Sequence, residues 1–264
     1  MNMKTPMNMK TPVIASSMRT AQSGFTLVEL MIAVTIALFL VGGLVTLVDG
    51  MKRASLSQDG MSQLQDNERM AATLMTDVIQ SAGYFPSPTI NTAASVLPVT
   101  GPFTFAGQSL IGTGAGNAAA PGDTITVRYV TGGTNAPLKD NTINCMGNTN
   151  TTQTLYTNAF SVATIGGVSY LVCSLNGAAV VPLASGITNL QIFYGVQSNP
   201  AALTNSVDTY LDAPAVTAGN YWGKVLSVKI QLTFTNPMAN QPGQPATIQF
   251  TRVVDVMNKT GVST

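Results

Sequence analysis

From Leu30 to Val48 the chain runs 19 residues without one ionisable side chain, and a single carboxylate, Glu29, stands at the head of that run. At ~1.5 Å per residue in a helix, this is about the length that crosses the hydrocarbon core of a bilayer. A carboxylate in such a helix costs roughly 2.5–3.5 kcal/mol at the membrane centre. A residue kept at that cost needs a partner. A plain lipid-facing anchor gives it none, whereas a helix that later packs against other helices does.

The residues ahead of the run suggest where the partner comes from. Residues 1–24 carry Lys4, Lys10 and Arg19 and no acid, and they end in Ser23-Gly24. A secretory signal places its cleavage site beyond its apolar region. Here the small residue precedes it, so a cut after Gly24 leaves the helix on the mature chain. Phe25 then becomes the N-terminus, and its α-amino group lies four residues from Glu29. The first twelve residues repeat the hexapeptide MNMKTP, which makes Met7 as usable a start as Met1.

The run Gly24-Phe25-Thr26-Leu27-Val28-Glu29 closely resembles the class III leader junction of type IV pilins. The resemblance implies cleavage after Gly24 by a prepilin peptidase, N-methylation of Phe25, and pairing of Glu29 with the amino terminus of a neighbouring subunit during assembly. It also implies single-pass insertion in the inner membrane, with the C-terminal domain in the periplasm before passage to a surface pilus.

Composition agrees with an exported surface protein. Only 9% of the 264 residues are charged, against ~25% in ordinary soluble domains. Without the leader, nine Lys and Arg face 11 acids, a side-chain balance of −2. No basic stripe supports nucleic-acid binding. There is no histidine, so neither a Ser-His-Asp nor a Cys-His catalytic set can be built; no enzyme activity and no cofactor is expected. Cys145 and Cys173 follow the span, on the side opposite the positive leader. An oxidising compartment there permits a disulfide, worth on the order of 3 kcal/mol for a loop of this length. Two buried free thiols are the alternative, and two thiolates alone are too few for zinc.

The organisation follows from pattern. We divide the chain into a leader (1–24), a membrane or filament-core helix (25–48), its continuation (49–83), an uncharged Gly/Pro/Thr-rich loop (84–123) and a β-rich C-terminal domain (124–264). In the continuation, Leu64, Ala71, Leu74, Met75, Val78, Ile79 and Ala82 gather on one helical face. Gly42, Gly43, Gly50 and Gly60 are either bends or points of close approach. Pro86–Gly122 carries no charge over 37 residues and reads as an insertion, either an unstructured spacer or a surface contact. Its Gly112–Gly116 fragment lacks the features of a phosphate loop. Strand patterns occupy 124–130, 168–174, 188–196, 225–235 and 247–256. Apolar and polar residues alternate in them as on an antiparallel sheet with one covered face. The expected fold is α+β, a long N-terminal helix laid on an antiparallel sheet.

Arg69-Met70-Ala71 leading to Ser81-Ala82-Gly83-Tyr84, the run Gly122-Asp123 to Arg128-Tyr129, and the segments Leu183–Val196 and Tyr221–Ile230 resemble PilW-type minor pilins. That resemblance implies a part in initiating a pilus used for motility, attachment or DNA uptake, at or near its tip. The implied partners are other minor and major pilins and the inner-membrane assembly platform. A minor pseudopilin of a type II secretion system, or a tip adhesin or DNA-uptake module, are the competing readings. Some secretion pseudopilins bind calcium, for which Asp208 and Asp212 are the candidate ligands here, set against a solvated loop. Trp222 reads as a core or sheet-edge anchor.

Overall fold

The computed structural model describes residues 24–114, 122–135, 139–199 and 206–257. Residues 1–23, which hold both candidate start residues and all of the expected leader except Gly24, lie outside them. The chain divides into two compact units, one ending at Ala54 and one beginning at Ser55.

In the first unit, helix α1 (Leu27–Gln80) begins two residues after Phe25. Every residue described from Gly24 to Ala54 is exposed, and α1 has the length and composition to cross a membrane. Its hydroxyls are satisfied within the helix: Thr35 Oγ1 donates to the Ile32 carbonyl and Thr46 Oγ1 to that of Gly43, each at 2.8 Å. Lipid offers side-chain hydroxyls no partner, so internal bonding is what such a surface requires. Gly42, Gly43 and Gly50 have nothing within contact range.

The second unit begins with the remainder of α1. Leu64, Ala71, Met75, Val78 and Ile79 are buried there, and Leu74 is half-buried. They cover two antiparallel sheets rather than the single sheet the periodicity predicts. One has five strands in the order β1 (Leu110–Thr113), β2 (Thr124–Thr131), β3 (Thr154–Ile165), β4 (Val168–Leu175), β5 (Val181–Ser185). The other has four, in the order β7 (Thr209–Leu211), β6 (Ile187–Val196), β8 (Val225–Thr235), β9 (Thr247–Asp255). The α+β class and the helix-on-sheet arrangement hold.

The two sheets meet at Asp123. Its backbone N–H donates to the Leu190 carbonyl at 2.7 Å, and its carboxylate accepts from Ile192 N at 2.8 Å. The start of β2 is thereby tied to the middle of β6. Tyr194 is buried nearby, and burial first, then the Asp123 charge, push its hydroxyl above the ordinary phenol range. Trp222 packs edge-on to Tyr194 with ring centroids 4.8 Å apart and donates its indole N–H to Thr217. It is a core anchor.

The disulfide forms between Cys145 and Cys173. Cys173 sits in β4, and Cys145 is fixed by Asn158 of β3, whose side-chain oxygen accepts the Cys145 N–H at 2.9 Å. The covalent link therefore fastens the loop entering β3 to the strand beyond it.

The uncharged segment is no unstructured spacer over its described residues 84–114. It holds the short helix α2 (Ala93–Val96), capped by Thr92, and strand β1. Its organiser is Arg128, a fully buried cation on β2. The guanidinium donates to the carbonyls of Gln108 (2.6 Å), Pro98 (2.5 Å) and Leu97 (3.1 Å) and to Thr100 Oγ1 (3.3 Å). It also lies over the Phe103 ring at 4.0 Å. A chain with no charge of its own is wrapped around one charge from the sheet, its carbonyls standing in for water.

Candidate functional site

Thr26 and Glu29 meet at the start of α1. Glu29 N donates to Thr26 Oγ1 at 3.3 Å, while Glu29 Oε2 accepts from both the backbone N–H and the hydroxyl of Thr26 at 3.0 Å. Leu30 N closes the first helical bond to the Thr26 carbonyl at 3.2 Å. This reciprocal arrangement is a capping box: a Thr before the helix and a Glu three residues on satisfy each other's orphan donors. The Thr-x-x-Glu spacing ahead of an apolar run is its sequence signal. Reading Glu29 only as an intermolecular partner overlooks it. The carboxylate is exposed, as is Phe25, and Gly24 has no atom within contact range. The junction is accessible, and Glu29 keeps the remaining lone pairs of its carboxylate for a second donor.

Asp208 and Asp212 have separate local tasks. Asp208 accepts from Ser198 N and Asn199 N at 2.8 and 2.9 Å, holding the end of β6 beside β7, and these backbone bonds hold its carboxyl below the usual range. Asp212 caps helix α3 (Ala213–Ala218) by accepting from Ala215 N at 2.9 Å. Among the described residues no three His, Cys, Asp or Glu side chains converge as a metal would need.

Two glycines have steric roles. Gly112 lies on β1, where a Cβ would come within 1.7 Å of the Tyr194 hydroxyl. Close strand packing therefore explains a glycine in the fragment that imitates a phosphate loop. Gly60 faces Pro237, which a Cβ would approach to 2.7 Å. The β8–β9 loop settles on the helix at that point, and its Gln241 side chain donates to Ser57 Oγ at 2.7 Å. Of the four helix glycines, Gly60 is thus a point of close approach within the folded unit.

Two family models match the chain. The prokaryotic N-terminal methylation motif covers residues 19–45 and takes in Gly24, Phe25 and Glu29. Type IV pilus-assembly protein W covers residues 146–259, from the loop after Cys145 through β9. The chain is similar to type IV pilins at its N-terminal motif and to type IV pilus-assembly protein W over its C-terminal region. No curated protein and no solved structure matches it. The Arg69–Tyr84 and Gly122–Tyr129 segments of this pilin-like chain fall outside both matched ranges. The structure gives them a shared role: Gly83 N donates to the Arg128 carbonyl and Val130 N to that of Tyr84, at 3.0 and 2.8 Å. The helix exit is sewn to β2 by these bonds.

Proposed function

We propose that the chain is a minor pilin that helps initiate a type IV pilus and stays at or near its tip. The observation that carries this reading is the exposed Gly24–Phe25 junction and Glu29 at the head of an apolar helix that buries nothing in its own unit. Prepilin peptidase cuts after Gly24 and Phe25 is methylated. The processed subunit waits in the inner membrane with its C-terminal unit in the periplasm. Other minor and major pilins, delivered through the assembly platform, then cover the helix. The role is structural, not enzymatic.

Sequencing the N-terminus of membrane-extracted protein is expected to return a chain that begins at methylated Phe25. Recovery of the intact leader would remove the processing step. Electron microscopy of a clean deletion strain is expected to show loss of surface filaments, restored by complementation. Unchanged filaments with a secretion defect would instead identify a pseudopilin of a type II secretion system.

A further inference from the structure

The two sheets present four edges among the described residues, and they are unequally protected. β1 has four residues and β7 three, while β5 has five and carries Pro182. β9 has nine, contains no proline, and pairs with β8 from Thr247 to Asp255 without a register shift. No described strand pairs with its other side. A long, regular, unblocked edge is a template for another strand, and proteins ordinarily shorten, cover or break such edges.

The hydrogen-bond phase of β9 follows from its two ends. Asn236 N donates to the Ala246 carbonyl and Val256 N to that of Leu226. In an antiparallel ladder the bonded pairs alternate, so residues 248, 250, 252 and 254 face β8. Thr247, Gln249, Thr251, Val253 and Asp255 therefore turn their N–H and C=O groups to the open edge. Beside it, between β9 and α1, lies a groove of about 230 Å³ bordered by Glu68, Arg69, Ala72, Thr76, Asp77 and Arg252, in which Arg69 lies 3.6 Å from Asp66. Thr76 Oγ1 is buried without a hydrogen-bond partner. Arg252 forms no ion pair among the described residues.

We propose that the outer edge of β9 is a docking site for an extended segment of another polypeptide, which adds a strand to the four-stranded sheet and sets an acidic side chain against Arg252. Main-chain bonds to the odd-numbered residues supply affinity, and Arg252 supplies selectivity. A second copy of this chain fits poorly in the register that overlaps the two β9 strands completely. Antiparallel pairing of two β9 strands about Thr251 places both Arg252 side chains diagonally on one face, where like charges repel. The inference stands on β9 alone and does not need the initiation role.

The test uses the full-length protein in detergent micelles and a fluorescent nine-residue peptide alternating Thr and Val around a central Glu. Saturable binding is expected, with slowed amide exchange across residues 247–255. Thr251→Pro removes an outward N–H without touching the β8 ladder, and is expected to weaken binding at least about tenfold at unchanged melting temperature. A backbone N-methylated peptide is expected to fail against the unaltered protein, which keeps the test valid should the proline variant misfold. Arg252→Glu is expected to reverse the preference between this peptide and its Glu-to-Lys counterpart. No binding by any peptide, equal binding of the N-methylated one, or no reversal would overturn the proposal. So would sedimentation of the wild type as a dimer that Thr251→Pro dissociates, since the occupant would then be a second copy.

Discussion

Replacing Arg128 with methionine is expected to destabilise the C-terminal unit by about 3–5 kcal/mol. Methionine roughly fills the aliphatic stem, so the loss is electrostatic rather than a cavity. Three carbonyls and the Thr100 hydroxyl lose this donor. The Leu97 carbonyl keeps Gly107 N, and Pro98 and Thr100 are exposed. The buried Gln108 carbonyl is thus the acceptor left unpartnered, at about 1–3 kcal/mol, beside charge-assisted bonds worth about 1.5–3 kcal/mol each. The Phe103 ring loses its cation as well. Solvent reaching part of the segment offsets some of that sum. At about 2–4 °C per kcal/mol for a unit of this size, circular dichroism is expected to show a melting temperature lower by roughly 6–20 °C. The region between Leu97 and Gln108 is expected to become the first site of proteolysis. Arg128→Lys retains the charge but loses the planar fork that reaches several carbonyls at once, so it is expected to recover only part of the loss. A methionine variant that melts within about 2 °C of the parent would show that the segment holds itself together without the cation.

Glu29 is expected to show the largest effect on assembly. Two roles meet in this one carboxylate: it caps its own helix through Thr26, and it is our candidate partner for the amino terminus of a neighbouring subunit. Substitution separates them. Glu29→Gln keeps an oxygen that can complete the capping box but removes the charge, and Glu29→Ala removes both. If charge pairing in low dielectric governs assembly, both variants are expected to fall at least about tenfold in sheared filaments. Breaking one side of a buried pair costs more than the ~1.4 kcal/mol that a factor of ten represents. The C-terminal unit is expected to melt at the parental temperature in both, because Glu29 lies outside it. Recovery of normal incorporation by Glu29→Gln alone would assign the residue to helix capping and remove the pairing role.

The legible parts of this molecule are those in which neighbours in sequence decide the outcome. The apolar run reads as an exposed helix because its character does not depend on what lies across from it. β8 reads from Val225 to Thr235 because alternation over eleven residues leaves no competing period. β3 did not read as a strand. Its buried positions include Asn158 between Tyr156 and Phe160, and that polar residue, needed to hold Cys145, breaks the apolar alternation. The split into two sheets was equally hidden, since strand order depends on partners distant in the chain. The Glu29 cap, in contrast, was available from the Thr-x-x-Glu spacing.

Sequence alone determined the N-terminal methylation motif, the membrane-length helix, the α+β class and the oxidisable cysteine pair, since each rests on residue chemistry within a short window or on composition. Tertiary structure decided that residues 84–114 of the uncharged segment are ordered, that Gly112 and Gly60 serve close packing, and that β9 is the longest open edge among the described strands. Those outcomes depend on a cation, a ring or a strand brought in from elsewhere in the chain, and no local pattern records which distant group will arrive.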